Sequence, residues 1–246
     1  MTTLFLALAP VAAIATFLYL KDRFEREPLK HLVISFFLGV LCVLPAIILS
    51  VTFEVIQNAL FPVGNFKNLV SVAVYAFIVV AFAEEFAKYL VLQFYAFRQK
   101  EFDEPYDGII YGAFISLGFA AVENILYVAE GGISVALLRM FSAVPAHASF
   151  GIIMGYYFGL AWQHKNKAFQ YKMKGLLAAV FLHGLYDFFL MQQLYPVFWF
   201  FSFVGLAISI WICFKAIRAH NNRSPFNPNA INQRPDYEKT EEGYRK

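Results

Sequence analysis

The chain has 246 residues, of which 60% are hydrophobic, 19% aromatic and only 15% charged. Soluble domains are roughly 45–50% apolar and about 25% charged, so this composition excludes an ordinary soluble enzyme and indicates a membrane protein. The formal net charge of +3 is too small to imply a nucleic-acid partner, and the two cysteines, Cys42 and Cys213, lie in apolar runs and provide neither a disulfide framework nor a thiolate zinc site.

Apolar runs follow one another along the chain, separated by short polar breaks. A helix needs ~20 apolar residues to cross the hydrocarbon core of a bilayer, whereas barrel strands alternate over about 10 residues, and these runs are continuous. We therefore expect an all-α, polytopic membrane helical bundle of about seven transmembrane helices. The predicted helices cover residues 4–20, 32–56, 69–97, 109–129, 138–162, 176–191 and 197–214.

The basic residues are distributed unequally between the two sides of this bundle. If successive breaks alternate across the membrane, 17 of the 20 Lys and Arg residues lie on one side, Lys67 and Arg139 lie on the other, and Lys88 lies within a helix. Cytoplasmic loops carry the excess of positive charge. This pattern predicts an N-terminus outside and a C-terminus in the cytoplasm.

The two ends of the chain have different expected structures. The first apolar run has no positively charged segment before it and no small-residue cleavage pattern after it, which favours a retained helix over a signal peptide. The last residues are rich in Asn, Pro and charge and cannot bury a core. We expect a helical bundle over residues 1–217 and a disordered cytoplasmic tail over residues 218–246.

The third predicted helix carries Glu84, Glu85 and Lys88 inside an apolar run. An ionised group at the bilayer centre costs from ~2.5 to more than 10 kcal/mol, so such groups must face one another or water. Glu84 and Lys88 share a helix face, and their pairing could serve helix packing alone. Glu85 points about 100° away from Glu84. Lys88 then offsets one negative charge and leaves the other to be desolvated or protonated, an arrangement suited to proton transfer.

Further polar groups lie in the next three predicted helices. Glu123 and Asn124 are in the fourth, His147 is in the fifth, and His183 and Asp187 are in the sixth. Each group alone is compatible with hydrogen bonding between helices. His183 and Asp187 share a face at i, i+4, as expected for a histidine with its orienting carboxylate or for two ligands of one metal.

The three remaining histidines, His31, His164 and His220, lie in polar breaks or in the tail, and no role is assigned to them. At 1.5 Å per residue, the acidic pair and His183 lie near the middle of their helices. Glu123, His147 and Asp187 lie roughly 6 Å further towards the outer face by the same rise. One cavity, open to the extracytoplasmic side, can hold all of these groups.

Four motifs occur in order in separate predicted helices: Glu84-Glu85-x-x-Lys88, Phe119-x-x-x-Glu123-Asn124, an isolated His147, and His183-x-x-x-Asp187. They resemble the motifs of the PrsW intramembrane proteases, distant relatives of the type II CAAX prenyl endopeptidases, over about residues 82–188. The prenyl endopeptidases have Arg where Lys88 stands and His where Glu123 stands, which disfavours processing of prenylated proteins. The resemblance implies cleavage of a membrane-spanning protein, typically an anti-sigma factor, in a bacterial cytoplasmic membrane.

Water is the expected nucleophile, because neither Ser nor Cys accompanies these motifs, and two mechanisms remain open. In the metal-free mechanism, by analogy with the prenyl endopeptidases, Glu84 or Glu85 takes the proton from water, Glu123 places the water, and the histidines stabilise the oxyanion. In the metal mechanism, His147, His183 and a carboxylate hold zinc, and a remaining Glu is the base. There is no His-Glu-x-x-His motif, and only the metalloprotease-like character of the family favours zinc. The predicted catalytic residues are Glu84, Glu85, Glu123, His147, His183 and Asp187, with Lys88 and Asn124 in support.

Two other functions compete with proteolysis. A proton-coupled membrane transporter could use the same buried acids and histidines as a relay. Such proteins usually show inverted repeats and paired broken helices, and the acidic cluster of the third helix has no counterpart in a second half. A scaffold that binds other membrane helices does not require seven buried titratable groups.

Overall fold

The computed structural model describes residues 2–60 and 68–231, and the described residues form helices without any strand. A π-helical segment, Tyr75–Phe82, joins α4 to α5. The α-helices are α1 (Thr2–Lys21), α2 (Leu29–Leu41), α3 (Val43–Leu60), α4 (Leu69–Val74), α5 (Ala83–Phe94), α6 (Pro105–Phe141), α7 (Ala143–Gln163), α8 (Ala168–Met191), α9 (Trp199–Arg223) and α10 (Pro228–Ile231).

Within the described residues, six helical runs are long and apolar enough to cross a membrane. The polytopic all-α bundle is therefore confirmed. One run has 59 residues, which at 1.5 Å per residue is roughly 90 Å, far more than one ~30 Å crossing requires. This run contains both α6 and α7. The expected number of seven crossings, and their orientation, stay predictions. The six runs are Leu4–Lys21, Leu29–Ala59, Leu69–Arg98, Pro105–Gln163, Lys165–Met191 and Pro196–Arg223.

Helices α6 and α7 lie antiparallel with their backbones in contact. A Cβ added to Gly155 on α7 would overlap the carbonyl oxygen of Gly108 on α6. Two turns further along α6, the hydroxyl of Ser116 donates a hydrogen bond of 2.6 Å to the carbonyl of His147 on α7. Small residues permit this approach, and it brings the polar groups of the two helices within reach of each other.

Gly132 interrupts α6 with φ 69° and ψ −155°. This backbone conformation is accessible to glycine almost alone, so the chain changes direction here. The residues after it, 133–141, form a separate helical segment before α7 begins at Ala143. The sequence placed the start of the fifth helix at residue 138, whereas residues 138–141 belong to this segment and α7 begins only after Ser142, whose backbone is not helical.

The π-helical segment lies immediately before the acidic pair of α5. Wider helical turns of this kind often mark functional sites. Here the ring of Phe77 in the segment lies against Gly184 of α8, where a Cβ would overlap it. The close contact places α8, and with it His183, beside the start of α5.

The boundary expected between bundle and tail falls inside a helix. α9 continues to Arg223, and His220 is buried in the bundle. The His220 ring stacks on Tyr156 at 4.3 Å between centroids, and its Nε2 contacts the Tyr156 carbonyl oxygen at 2.8 Å. Ser224 is also buried. A disordered tail remains a prediction for residues 232–246, which lie outside the described residues, as does Lys67.

Buried carboxyl groups line one end of the bundle, between α1, α2 and α6. The Tyr111 hydroxyl donates to Glu27, and the Glu27 backbone N–H donates to the Asp22 carboxylate at 3.0 Å. Burial raises the pKa of Glu27 to about 8 and the pKa of Asp22 to about 6. At a pH between the ordinary pKa of each carboxyl and its raised value, the folded protein therefore keeps a proton that the unfolded chain would release.

The first prediction concerns the pH dependence of stability. A carboxyl whose pKa is raised on folding contributes stability that is fully present below its ordinary pKa near 4.5 and is lost as pH rises through about 8. We expect the thermal unfolding midpoint in detergent to fall between pH 5 and pH 9, and to fall less in Glu27→Gln. Glu101→Gln, at an exposed side chain, is the control. An equal decline in both variants would contradict the prediction.

The second prediction concerns topology and uses single cysteines in polar breaks. If 17 basic residues mark the cytoplasmic side, Lys21→Cys and Lys172→Cys react with an impermeant thiol reagent only after permeabilisation. Leu194→Cys, on the opposite side, reacts in intact cells. The native Cys42 and Cys213 are buried and give little background. Labelling of Lys21→Cys and Lys172→Cys from opposite sides would rule out this topology.

Candidate active site

A cavity of about 410 Å³ lies between α3, the π-helical segment and helices α5 to α9. Glu84, Glu123, His147, His183 and Asp187 all line it. The structure therefore brings together groups that the sequence places on four different helices, as expected for one shared cavity. Apolar side chains complete its wall: Val80, Leu138, Phe150, Leu190, Met191 and Phe203.

Lys88 is buried behind this cavity and contacts both glutamates of α5. Its Nζ lies 2.7 Å from Glu85 Oε1 and 3.4 Å from Glu84 Oε2. It also lies 4.1 Å above the centre of the Phe119 ring. The sequence paired Lys88 with Glu84 alone. The flexible side chain instead reaches both glutamates, since positions i−3 and i−4 are neighbours on one helix surface.

His183 lies between two carboxylates. Its Nδ1 is 2.9 Å from Glu85 Oε1, and its Nε2 is 3.2 Å from Asp187 Oδ2. The Phe150 ring stacks on the imidazole at 4.9 Å between centroids. The ring is therefore held on both edges and one face, and Asp187 is the carboxylate partner that the i, i+4 spacing predicts.

His147 contacts a cation on one side and a carboxylate on the other. Its Nδ1 lies 3.2 Å from Lys88 Nζ, and its Nε2 lies 2.6 Å from Glu123 Oε2. An ammonium group only donates hydrogen bonds, so Nδ1 is the acceptor and Nε2 carries the proton that is donated to Glu123. The imidazole rings of His147 and His183 are 5.2 Å apart between centroids.

Arg139 is a member of the site that the sequence did not reveal. Its Nη2 lies 3.0 Å from Glu123 Oε2, and its Nε donates a hydrogen bond of 2.8 Å to Asn124 Oδ1. The Asn124 side chain donates in turn to the carbonyl of Ala7 on α1 at 2.7 Å. From the sequence, Arg139 is expected only as one of two basic residues on the outer side of the membrane. No local signal identifies it, because its position depends on the turn at Gly132.

The carboxyl groups of the site outnumber its lysine and arginine side chains. The structure places four carboxyl groups here and two permanent cations, Lys88 and Arg139. With every carboxyl ionised, two negative charges remain on groups removed from bulk water. Such an excess is costly in an apolar interior. Protons on the imidazoles or carboxyls, or one divalent cation, would neutralise it.

The donor set fits a divalent metal ion. Glu84, Glu85, His147 and His183 each offer a ligand atom, and these atoms all lie within 4.8 Å of one another. Glu85 Oε2 is buried without a hydrogen-bond partner. Imidazole and carboxylate ligands suit zinc. In metal sites, the ring nitrogen of a histidine that does not bind the metal commonly contacts a carboxylate, which fixes the orientation of the ring. Glu123 is in the position to do this for His147.

A sequence model of the PrsW family of intramembrane metalloproteases matches residues 27–213, which include every residue of the site. The chain belongs to the PrsW family. Named Protease PrsW, the relative from Geobacillus kaustophilus is 42% identical over 185 residues, covering 75% of this chain and 78% of the relative. The Protease PrsW of Bacillus subtilis is 39% identical over 184 residues, 74% of this chain and 80% of the relative. That of Shouchella clausii is 34% identical over 216 residues, 86% of this chain and 95% of the relative. No solved structure matches the chain.

Membership of the PrsW family makes this protein a membrane-embedded protease with several membrane-spanning helices. In bacteria such a protein resides in the cell membrane. The family match thus favours proteolysis over the proton-coupled transporter that the same buried groups also suggested.

Proposed function

We propose that the protein is an intramembrane endopeptidase that hydrolyses a peptide bond in a membrane-anchored protein, such as an anti-sigma factor, in regulated proteolysis. The observation that carries this proposal is the cavity in which Glu84 stands next to His147 and His183. This arrangement provides a base, groups that stabilise negative charge, and room for a peptide.

Glu84 is the better candidate for the base that takes the proton from water. Its side chain lines the cavity and is 14% exposed, whereas Glu85 is 0% exposed. Glu85 Oε1 already contacts both Lys88 and His183. In our mechanism Glu85 therefore anchors these two groups, and Glu84 meets the water.

Water attacks the scissile carbonyl carbon while Glu84 accepts the proton, so a C–O bond forms and negative charge develops on the carbonyl oxygen. In our mechanism the imidazoles that face the cavity and the Lys88 ammonium directly behind it stabilise this charge electrostatically, rather than by a hydrogen bond from a free ring nitrogen. Glu84 then returns the proton to the leaving amine nitrogen as the C–N bond breaks. Glu123 and Asp187 fix the orientation of the two imidazoles.

A serine is a poorer nucleophile in this site. Ser142 lines the cavity, but its hydroxyl donates a hydrogen bond of 2.8 Å to the carbonyl of Leu138. The ring nitrogens of His147 contact Lys88 and Glu123, and those of His183 also have partners. Neither imidazole is therefore free to activate a serine, which supports water as the nucleophile.

In the metal mechanism, His147, His183 and one of the two carboxylates Glu84 and Glu85 would hold the divalent cation, which we propose is zinc. Bound zinc acts as a Lewis acid that polarises a carbonyl group and lowers the pKa of water. Under this alternative, whichever glutamate does not bind the metal is the base, and Glu123 and Asp187 keep their orienting roles.

The substrate class follows from where the cavity lies. It is enclosed by helices whose outer surfaces are apolar, and its own wall carries apolar side chains beside the polar groups. A membrane-anchored segment can reach it from the bilayer, and its apolar side chains can pack against this wall. The substrate helix must unwind around the peptide bond that is cut, since the carbonyl groups of an intact helix are already hydrogen bonded.

The third prediction tests catalysis. The wild type and the Glu84→Gln, Glu85→Gln and His183→Ala variants are expressed in a host that lacks its own copy, and membrane-protein fragments are compared by N-terminal mass spectrometry. Loss of a general base or of oxyanion stabilisation reduces such rates by ~10²–10⁴-fold. We expect fragments that depend on the wild type to disappear in the variants at unchanged protein level.

His164→Ala is the matched control, because His164 is exposed and lies outside the cavity. It should leave the fragment pattern unchanged. If the same fragments persisted in both the Glu84→Gln variant and the Glu85→Gln variant, the catalytic site would have to lie elsewhere or the protein would have another function.

The fourth prediction distinguishes the two mechanisms. If zinc is bound by residues from α5, α7 and α8, purified protein retains it in near-stoichiometric amount, and His147→Ala/His183→Ala loses it. Elemental analysis measures both. A chelator should then abolish cleavage until zinc is restored. Full activity in protein free of transition metals would eliminate the metal mechanism and leave Glu84 with the imidazoles and Lys88 as the whole apparatus.

A further inference from the structure

Arg139 lies on the helical segment 133–141, outside the four motifs, and reaches the active site from there. Ala136 is the buried residue of this segment, while Leu138 and Phe141 are 59% and 74% exposed. The segment therefore presents an apolar face to its surroundings and directs one charged side chain, 13% exposed, into the bundle.

The guanidinium of Arg139 is held on several sides. Its Nε donates to Asn124 Oδ1 at 2.8 Å, and its Cζ lies 4.1 Å from the centre of the Tyr127 ring. Asn124 is fixed to the carbonyl of Ala7 on α1. The orientation of Arg139 is thus set by α6 and α1 independently of the carboxylate that it meets.

One oxygen of Glu123 connects this group to the active site. Glu123 Oε2 lies 3.0 Å from Arg139 Nη2 and 2.6 Å from His147 Nε2. The Glu123 side chain borders the cavity and is 22% exposed. Without a second partner, it could rotate within the cavity and release His147.

We propose that Arg139 is a positioning residue: it fixes the Glu123 carboxylate, which in turn orients the His147 imidazole. This inference rests on the proposed function in one respect, since it assigns His147 a task in peptide hydrolysis. The guanidinium meets Asn124 through a hydrogen bond from Nε and Glu123 through an ion pair at Nη2, two nitrogens held at a fixed spacing in one plane. A lysine ammonium is a point charge without this planar spacing, so we expect it to hold the two acceptors less rigidly.

Charge neutralisation alone would make a different use of the same residue. In that case any cation at position 139 would suffice, and removal of Arg139 would lower stability without moving His147. The two roles differ in what happens to the hydrogen bond between His147 and Glu123, which can be observed without any substrate.

The fifth prediction uses the full-length chain in lipid nanodiscs with ¹⁵N-labelled histidines, of which there are five. The strongly downfield ring-proton signal of the 2.6 Å hydrogen bond is assigned by its loss in His147→Gln. In Arg139→Gln we expect that signal to shift upfield or broaden away, and in Arg139→Lys to shift partly. Arg98→Gln, in the short turn between α5 and α6 and outside the cavity, is the control and should leave it in place.

Cleavage of a fragment-yielding membrane protein from the catalysis test supplies the second readout. Arg139→Gln should lower kcat at least 10-fold with KM within about 2-fold, and Arg139→Lys should restore less than half of the loss. In a Glu123→Gln background the same change should alter kcat less than 2-fold, because Arg139 acts through Glu123.

An unchanged His147 signal in folded Arg139→Gln, or full activity in Arg139→Lys, would overturn the proposal. If Arg139→Gln does not fold, as judged by its thermal unfolding midpoint, the Arg139→Lys spectrum decides alone. A wild type that cleaves nothing would refute the proposed protease function, whereas the spectra would still decide whether Arg139 positions Glu123 and His147.

Discussion

Four carboxyl groups in the apolar interior of one helical bundle are the constraint on which the rest of this structure depends. Each needs a positive or hydrogen-bonding partner, because an isolated ion there costs several kcal/mol. Lys88 supplies one partner to both Glu84 and Glu85. His183 then links Glu85 to Asp187 through its two ring nitrogens. The polar network is therefore continuous, and each member limits the orientation of the next.

Such a network requires that helices approach one another more closely than ordinary side chains allow. The glycine contact between Gly108 and Gly155 brings α6 and α7 together, so that Glu123 and His147 meet at 2.6 Å. The contact of Gly184 with Phe77 similarly sets α8 against the π-helical segment. Packing thus positions the polar groups of the cavity: in our proposal the small residues take no part in the reaction, yet they determine the distances between the groups that do.

Lys88 and a metal ion would both offset the negative charge of the buried carboxyl groups. The Lys88 ammonium lies among the atoms that would bind a metal, 2.7 Å from Glu85 and 3.2 Å from His147. It reduces the negative charge of the donor set without removing it, because two cations face four carboxyl groups. In our proposal the site therefore keeps an affinity for positive charge, which suits both a bound divalent ion and the protonated intermediates of a metal-free reaction.

The sequence by itself determined the surrounding solvent, the helical class and the set of titratable groups that we propose carry the chemistry. Long apolar runs admit only helices, and titratable residues inside them must cluster, so Glu84, Glu123, His147 and His183 could be expected in one cavity. It did not determine which atoms meet. Lys88 lies closer to Glu85 than to Glu84, a difference that depends on side-chain conformation. Arg139 enters the site only because the backbone turn at Gly132, outside the four motifs, redirects its helix. Side-chain conformation and the path of the backbone through a turn depend on how the surrounding helices pack, which no local periodicity encodes, so only the tertiary structure decided them.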